Sequence, residues 1–413
     1  MRVLAGGKMD GTSRRRAPAP RASPRWLGVF AAIITLGAAA AHADDRPPDE
    51  FAPGFRLKLT FHANEFGVVG GGDRYVDLLK STADFDLERL AGMRGADAHI
   101  ELVHNYGARP RDLAGSLQRT NDEDVETRRF RLYQAWFEQG FAGGRASMLA
   151  GVYDFKHEFA ELDAAGALIN PSFGISPEMS RAGPDQAPTF PSSALAARVR
   201  WRPAGRVYLQ MAVENAHAGT VGDAGGLDTS FRTGVLLLGE AGVASPSLGK
   251  VAVGLWGYSH ELPDLRDRTA QGTPLPRAAH GAYAMIETPL STSGAGLRAA
   301  SIFGRASLSD GDTTPFAGSW QAGLRVRRLF DSRPDSVLSL GVTQSFVSGK
   351  FRDVRAMSGR FTQPVETTVE LTYADKVNRF FTLQPDLQWV HHPALNRVAG
   401  DACVLSLRMA FEL

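Results

Sequence analysis

Disulfides, a charge excess and long apolar helices are all missing from this chain. Its 413 residues include one cysteine, Cys403, which excludes a disulfide scaffold and a metal site built from several cysteines. The 46 Lys and Arg residues balance 44 Asp and Glu residues, so the basic excess typical of nucleic-acid-binding proteins is absent. A mean hydropathy of −0.17 excludes a polytopic helical membrane protein, whose spans need ~20 apolar residues each. A membrane β-barrel is still compatible with these values, because its strands are apolar on one face only.

The first 43 residues have the pattern of a secretory signal. Five arginines between Arg14 and Arg25 precede an apolar run over 26–40, and Ala41-His42-Ala43 follows as a small-residue cleavage site. The run has 15 residues, which is short for a helix that spans a bilayer. We predict cleavage after Ala43, which leaves 44–413 as the mature chain of an exported protein in the envelope of a bacterium.

Apolar and polar residues alternate with a period of two along the rest of the chain. The last segment shows the pattern most clearly, since Cys403, Leu405, Leu407, Met409 and Phe411 are apolar and the intervening residues are smaller or polar. Sixteen windows of this kind can be placed: 55–64, 75–87, 96–104, 128–141, 145–155, 194–201, 206–214, 233–241, 249–259, 280–288, 297–308, 316–326, 336–346, 366–374, 381–390 and 402–411.

Long and short connections alternate between these windows. In an up-and-down antiparallel barrel, successive connections lie at opposite rims, and bacterial barrels have short periplasmic turns and longer external loops. The pattern therefore predicts an all-β fold, a transmembrane antiparallel up-and-down β-barrel of about 16 strands. A soluble pair of β-sandwich domains would also alternate in polarity, but nothing in it would require long and short loops to take turns.

Several stretches resemble the carbohydrate-selective OprB family of porins from Gram-negative outer membranes. The most specific block is 169–183 (INPSFGISPEMSRAG), followed by Phe190-Pro191 and 197–203 (ARVRWRP), and similar stretches occur at 131–139 (RLYQAWFEQ) and 382–390 (TLQPDLQWV). The resemblance implies a sixteen-stranded barrel that admits small sugars by passive diffusion, inserted in outer-membrane lipid as a homotrimer. The chain departs from the family at its end, where a leucine replaces the usual aromatic residue.

A sugar channel needs side chains that exchange hydrogen bonds with sugar hydroxyl groups, and Arg, Asp, Glu and aromatic residues do this. The resemblance adds Glu65, which lies where the family has an acidic residue after its first strand. Parity places the other candidate pore-lining, substrate-binding residues on the wet face: Asp97, Glu101, Arg131, Arg198, Arg200, Tyr208 and Arg325. Arg198 and Arg200 are the leading pair, because they share one face of a strand with Arg202.

Two segments leave alternatives open. Over 128–141 the parity is mixed, because Arg131 and Tyr133 are odd while Gln134 is even, and a subunit contact or an infolded loop would explain this. The longest connection, 156–193, is either a loop folded into the pore or a surface flap that latches subunits together.

Enzymatic and metal-binding motifs are not found in the sequence. There is no G-x-S-x-G motif, and adjacent His391 and His392 beside Pro393 fit a surface loop better than a metal site. We expect no enzyme activity, no cofactor and no nucleic-acid partner. The main hypothesis is an outer-membrane sugar porin, and the alternatives are a barrel channel for other small polar solutes and an exported soluble glycan-binding β-protein.

Overall fold

The computed structural model describes residues 50–413 except 125–127, 292–298 and 396–399, so the proposed signal segment 1–43 lies outside the described residues. Within the described residues, sixteen antiparallel strands pair in chain order, and the last pairs with the first to close a barrel. The strands are β1 Phe55–Val68, β2 Asp73–Asp86, β3 Ala96–Gly107, β4 Arg129–Phe141, β5 Ala146–Tyr153, β6 Ala194–Ala204, β7 Val207–Asn215, β8 Val235–Ser245, β9 Gly249–Tyr258, β10 His280–Ser291, β11 Ala299–Ser309, β12 Phe316–Arg327, β13 Val337–Val347, β14 Val365–Asn378, β15 Phe381–His391 and β16 Ala402–Glu412. Each of the sixteen predicted windows overlaps one of these strands, which confirms the predicted fold class.

The smaller elements lie at the rims and in the long connections. A short strand, Glu50–Ala52, pairs with β1, and a hairpin of Leu262–Arg268 and Pro274–Arg277 lies between β9 and β10. The α-helices are α1 Leu87–Ala91, α2 Arg111–Ala114, α3 Pro177–Ser180 and α4 Gly349–Met357, and the 3₁₀ helices are Ala142–Gly144, Phe155–His157, Asp163–Ala165 and Pro171–Phe173. Across the part of the chain that the structure describes, no helix is both long and apolar enough to cross a membrane.

The two faces of the strands follow the parity of the sequence. In β16, Leu405 is 52% exposed on the outer face, whereas Ser406 and Arg408 are buried on the inner face. Arg408 donates to Oδ1 of Asn64 on neighbouring β1 at 2.6 Å, which fixes the register where the barrel closes. Closure leaves no free strand edge, as a sheet in lipid requires.

Most long connections lie at one rim, which also carries two short ones, the turn between β1 and β2 and the connection 310–315. The connections 108–128, 154–193, 216–234, 259–279 and 348–364 share this rim, and the turns between β6 and β7 and between β14 and β15 have two residues each. The connection between β1 and β2 was expected to be long but is a tight turn over 69–72. There Gly71 N donates to Val68 O at 2.8 Å, and Gly70 has a φ of +76° that favours glycine.

A β-bulge explains the mixed parity of β4. Glu101 of β3 pairs with Gln134, but the next residue, Leu102, pairs with Leu132, so Tyr133 is the extra residue. An extra residue shifts the alternation by one. The interior therefore receives Arg131 and Tyr133 from one half of the strand and Gln134 from the other. A bulge thus explains the mixed parity, and neither a subunit contact nor an infolded loop is needed.

Candidate functional site

The 154–193 connection folds into the barrel and contacts much of its inner wall. Its backbone amides donate to wall carboxylates, Ala160 N to Glu240 and Ala164 N to Glu287, both at 2.8 Å. Arg305 of β11 donates in the other direction, to Ala160 O at 2.7 Å and Ser172 O at 2.9 Å. These bonds give partners to backbone groups of an irregular segment that lies inside a barrel. The structure thus decides for the infolded loop and against the surface flap.

Apolar side chains attach the same segment to one side of the wall. One cluster joins wall residues of β5 to β11 to four nearly fully buried side chains of the segment, Phe155, Phe159, Phe173 and Met179. The rings of Phe173 and Phe303 meet edge to face with centroids 6.2 Å apart, a favourable geometry for aromatic pairs. The loop is therefore packed like a protein core on this side.

A second connection, 108–128, enters the lumen from the opposite wall. Glu366 of β14 accepts hydrogen bonds from Leu117 N and Gln118 N, both at 2.9 Å. Arg408 donates to Asp122 at 2.6 Å, and Asn64 donates to Glu123 at 2.7 Å. Burial alone would raise the pKa of Glu123, but the charge of Arg408 and the hydrogen bonds with His62 and Asn64 outweigh burial and hold the pKa below its usual value. Glu123 is thus an anion that ties this loop to the wall.

The two loops leave two cavities in the lumen. The first, of about 320 Å³, is lined by residues of both loops and by Arg129, Arg131 and Asp223, and we call it the outer cavity. The second, of about 240 Å³, is lined by 156–174 and by Asp122, and we call it the inner cavity. Asp122, Lys156 and Pro171 line both cavities, and we call these three residues the crossing.

Charged groups of both signs surround the cavities. Arg131 Nε donates to Asp223 at 2.6 Å. Burial raises the pKa of Asp223, but the hydrogen bonds that it accepts from Arg131 and other donors lower the pKa overall. Burial raises the pKa of Asp124 to about 6, although nearby Arg111 works in the opposite direction. In the inner cavity, desolvation by the surrounding walls and the charge of Asp163 raise the pKa of Glu161 to about 7, even though its side chain keeps contact with the lumen. A narrow lumen with both signs of charge favours neutral polar solutes over bare ions.

The leading pair of predicted residues faces the interior but is engaged by the loop. Arg198 is 1% exposed and donates to Glu158 at 2.7 Å, to Glu138 at 2.9 Å and to Ser147 at 2.7 Å. Arg200 donates to Gln210 at 2.9 Å and lies 3.3 Å from Glu158. Because Glu158 belongs to the infolded loop, the geometry of this pair is that of an anchor for the loop.

Three further candidates lie on the inner face in similar contacts. Glu101 accepts from Gln134 at 3.0 Å, Tyr208 donates to Glu240 at 2.7 Å, and Arg131 lines the outer cavity beside Asp223. Of these three, Arg131 lies on the wall of a cavity.

The last three candidates lie apart from the crossing. Asp97 is exposed near the rim with the short turns, and Arg325 donates to Asp163 O at the edge of the infolded loop. Glu65 corrects the prediction, because it pairs across the sheet with Leu407 and Tyr75 on the outer face of the barrel. Its carboxylate cannot line the pore from there. The alternation of β1, in which Asn64 faces inward, already indicates that Glu65 faces outward.

Sequence reasoning missed Lys156 and Asp122 because both belong to loops, where a period of two says nothing. No group of three or more His, Cys, Asp or Glu side chains that could hold a metal ion is found in the described ranges. The sixteen strands, their apolar outer face and the two infolded loops define the class of the protein, a porin-type channel of the bacterial outer membrane.

The chain belongs to the OprB family of carbohydrate-selective porins, whose family model matches residues 70–413. It is therefore a channel for sugars and not an enzyme. Porin B of Pseudomonas aeruginosa is 21% identical to it over 94% of this chain and 98% of that protein. The high-pH structure of Pseudomonas putida OprB superposes with a TM-score of 0.78 at 20% identity, covering 87% of this chain and 94% of the other. The low-pH structure of Pseudomonas putida OprB superposes with a TM-score of 0.53 at 17% identity, covering 95% and 97% of the two chains.

Proposed function

We propose that small sugars cross the outer membrane through this channel by passive diffusion from the outer cavity, through the crossing, to the inner cavity. The observation that carries this proposal is the infolding of 154–193 and 108–124, which leaves two cavities whose linings share Asp122, Lys156 and Pro171. Polar groups on the cavity walls exchange hydrogen bonds with sugar hydroxyls as the solute loses part of its hydration.

Liposome swelling tests this proposal. Proteoliposomes are placed in isotonic solutions of a monosaccharide, a disaccharide, a trisaccharide, a neutral amino acid and a salt, and the initial swelling rates are compared. We expect the monosaccharide to enter faster than an amino acid of smaller size. Faster entry of the amino acid would instead support the alternative of a channel for other small polar solutes.

We also propose that the channel works as a homotrimer. Glu65 lies on the outer face opposite Leu407, the middle residue of β16, where lipid offers a carboxylate no hydrogen-bond partner. A neighbouring copy of the chain could supply one. Native mass spectrometry in detergent should give the mass of three chains for the wild type, and a monomer at all protein concentrations would contradict the assembly.

The export route remains a proposal as well. We propose that the segment 1–43 directs export and is removed, so that 44–413 forms the inserted barrel. The observation behind it is the arginine-rich start, the short apolar run and Ala41-His42-Ala43. The N-terminal sequence of protein purified from outer membranes should begin at Asp44, and a start upstream of the apolar run would contradict the cleavage.

A further inference from the structure

The crossing contains one lysine, Lys156, and hydrogen bonds of the infolded loop fix the position of its backbone. Asp154 begins the 3₁₀ helix Phe155–His157 and accepts from Lys156 N at 3.0 Å, while the Tyr133 hydroxyl donates to the same carboxylate. The backbone of Lys156 is thereby held against the barrel wall. Its side chain then extends along the loop towards the segment at Pro171.

Gly174 makes room for that side chain. A methyl group at position 174 would lie 2.9 Å from Cε of Lys156, closer than real Cβ atoms approach, and 3.4 Å from Nζ, so the lysine side chain would have to shift. The backbone of Gly174 has a φ of −77° and a ψ of −53°, which any residue can adopt. The glycine therefore leaves the space that the end of the lysine side chain occupies, and a larger residue there would displace the lysine.

The charge of Lys156 has no close counter-ion. Among the described residues, no carboxylate oxygen lies within 4 Å of Nζ, whereas the neighbouring Asp122 is paired with Arg408. Within the described lining of the inner cavity, Lys156 is the one Lys or Arg, against the carboxyl groups of Asp122, Glu161 and Asp163. A solute that passes the crossing therefore meets a strong donor that is not engaged by an acid.

We propose that Lys156 is the group that selects the permeant at the crossing and that Gly174 is its positioning residue. Lys156 donates to a ring or hydroxyl oxygen of the sugar, the partly exposed carboxylate of Asp122 accepts from a neighbouring hydroxyl, and Pro171 packs on an apolar face of the ring. The inference rests on the proposed diffusion pathway through the crossing.

The ammonium group has a second consequence for ions. Because the remaining charged groups of the inner cavity are acidic, Lys156 keeps the passage from favouring cations strongly. Removing it should therefore change both the sugar contact and the ion selectivity.

Planar bilayers with Lys156→Met and Lys156→Arg test the selecting residue. We expect Lys156→Met to weaken the block of ionic current by a neutral monosaccharide about tenfold, as the loss of a charged donor implies, and to raise the cation-to-anion permeability ratio. Lys156→Arg should retain the ion selectivity. Lys58→Met removes a lumen lysine that pairs with Glu412 at 3.1 Å near the other rim, and should leave the sugar block as in the wild type.

Gly174→Ala tests positioning without a change of charge. We expect it to weaken the sugar block several-fold, whereas the control Gly205→Ala, in the turn between β6 and β7, adds a methyl group with no atom within 4 Å and should not. Wild-type sugar block and ion selectivity in folded Lys156→Met would overturn the role of Lys156. If wild-type channels pass no sugar at all, the proposed diffusion pathway fails, and this result is recorded separately from the variants.

Discussion

Each side chain of a barrel strand faces either the outside or the lumen, and the next residue along the strand faces the opposite way. Leu407 and Arg408 are neighbours in β16, but Leu407 contacts the outside whereas Arg408 bonds Asn64 and Asp122 in the lumen. Glu65 shows how a residue assigned from resemblance can be misplaced when the alternation of its own strand is ignored. Parity predicts that Arg198 and Arg200 face inward. Their ion pairs could not be predicted, because Glu158 reaches them from a loop.

A charge on the outer face should harm insertion. Leu407→Arg should destabilise the folded barrel by about 2–4 kcal/mol if residue 407 lies at the bilayer midplane. Ala410→Arg places the same charge on the half-buried inner face of the same strand and should insert. Urea unfolding in lipid vesicles measures both variants, and equal losses of stability would contradict the assignment of faces in β16.

Glu161 should make ion selectivity depend on pH. Its pKa is raised to about 7, so the carboxyl group is neutral below this pH and negative above it. The cation-to-anion permeability ratio should therefore rise as the pH increases from 6 to 8. Zero-current potentials under a salt gradient measure the ratio, and Glu161→Gln should abolish the change. An equal dependence in the variant would assign it to another group.

Whole elements show which parts of the fold a period of two can predict. All sixteen strands could be found from the alternation because each separates lipid from lumen along its length. The bulge at Tyr133 could not be located from the sequence. An inserted residue changes which parity faces inward in one half of β4, but the pattern does not say at which residue the change occurs. The paths of 108–128 and 154–193 were equally out of reach, because they depend on contacts with strands far away in sequence, such as that between Ala164 and Glu287.

The two inner loops should be released by the loss of the glutamates that bind their amides. Glu366 accepts from Ser116, Leu117, Gln118 and Ala394, and Glu370 binds the amides of Ile169 and Asn170. Each such hydrogen bond contributes about 0.5–1.5 kcal/mol, and each buried amide left without its acceptor costs about 1–3 kcal/mol. Glu366→Ala combined with Glu370→Ala should therefore raise single-channel conductance and its fluctuations. The double Gln variant retains part of the acceptors and should be intermediate, whereas unchanged conductance in the Ala variant would show that these contacts do not hold the loops.

At the scale of the whole molecule, closure of the sheet accounts for the stability expected of the barrel in detergent. Every strand from β1 to β16 has two hydrogen-bonded neighbours, so unfolding must break a continuous ladder. Unboiled and boiled samples should therefore migrate differently on a detergent gel. Identical migration, together with extraction in aqueous buffer, would contradict membrane insertion.

The central claim is that sugars pass through the narrowed lumen and interact with its walls. The most direct measurement is the ionic current of single wild-type channels as a neutral monosaccharide is added at constant salt concentration. We predict that the current falls along a saturating curve, because a sugar that occupies the crossing excludes ions while it is bound. A current that shows no saturating block at any sugar concentration, beyond the change expected from solution viscosity, would contradict the account.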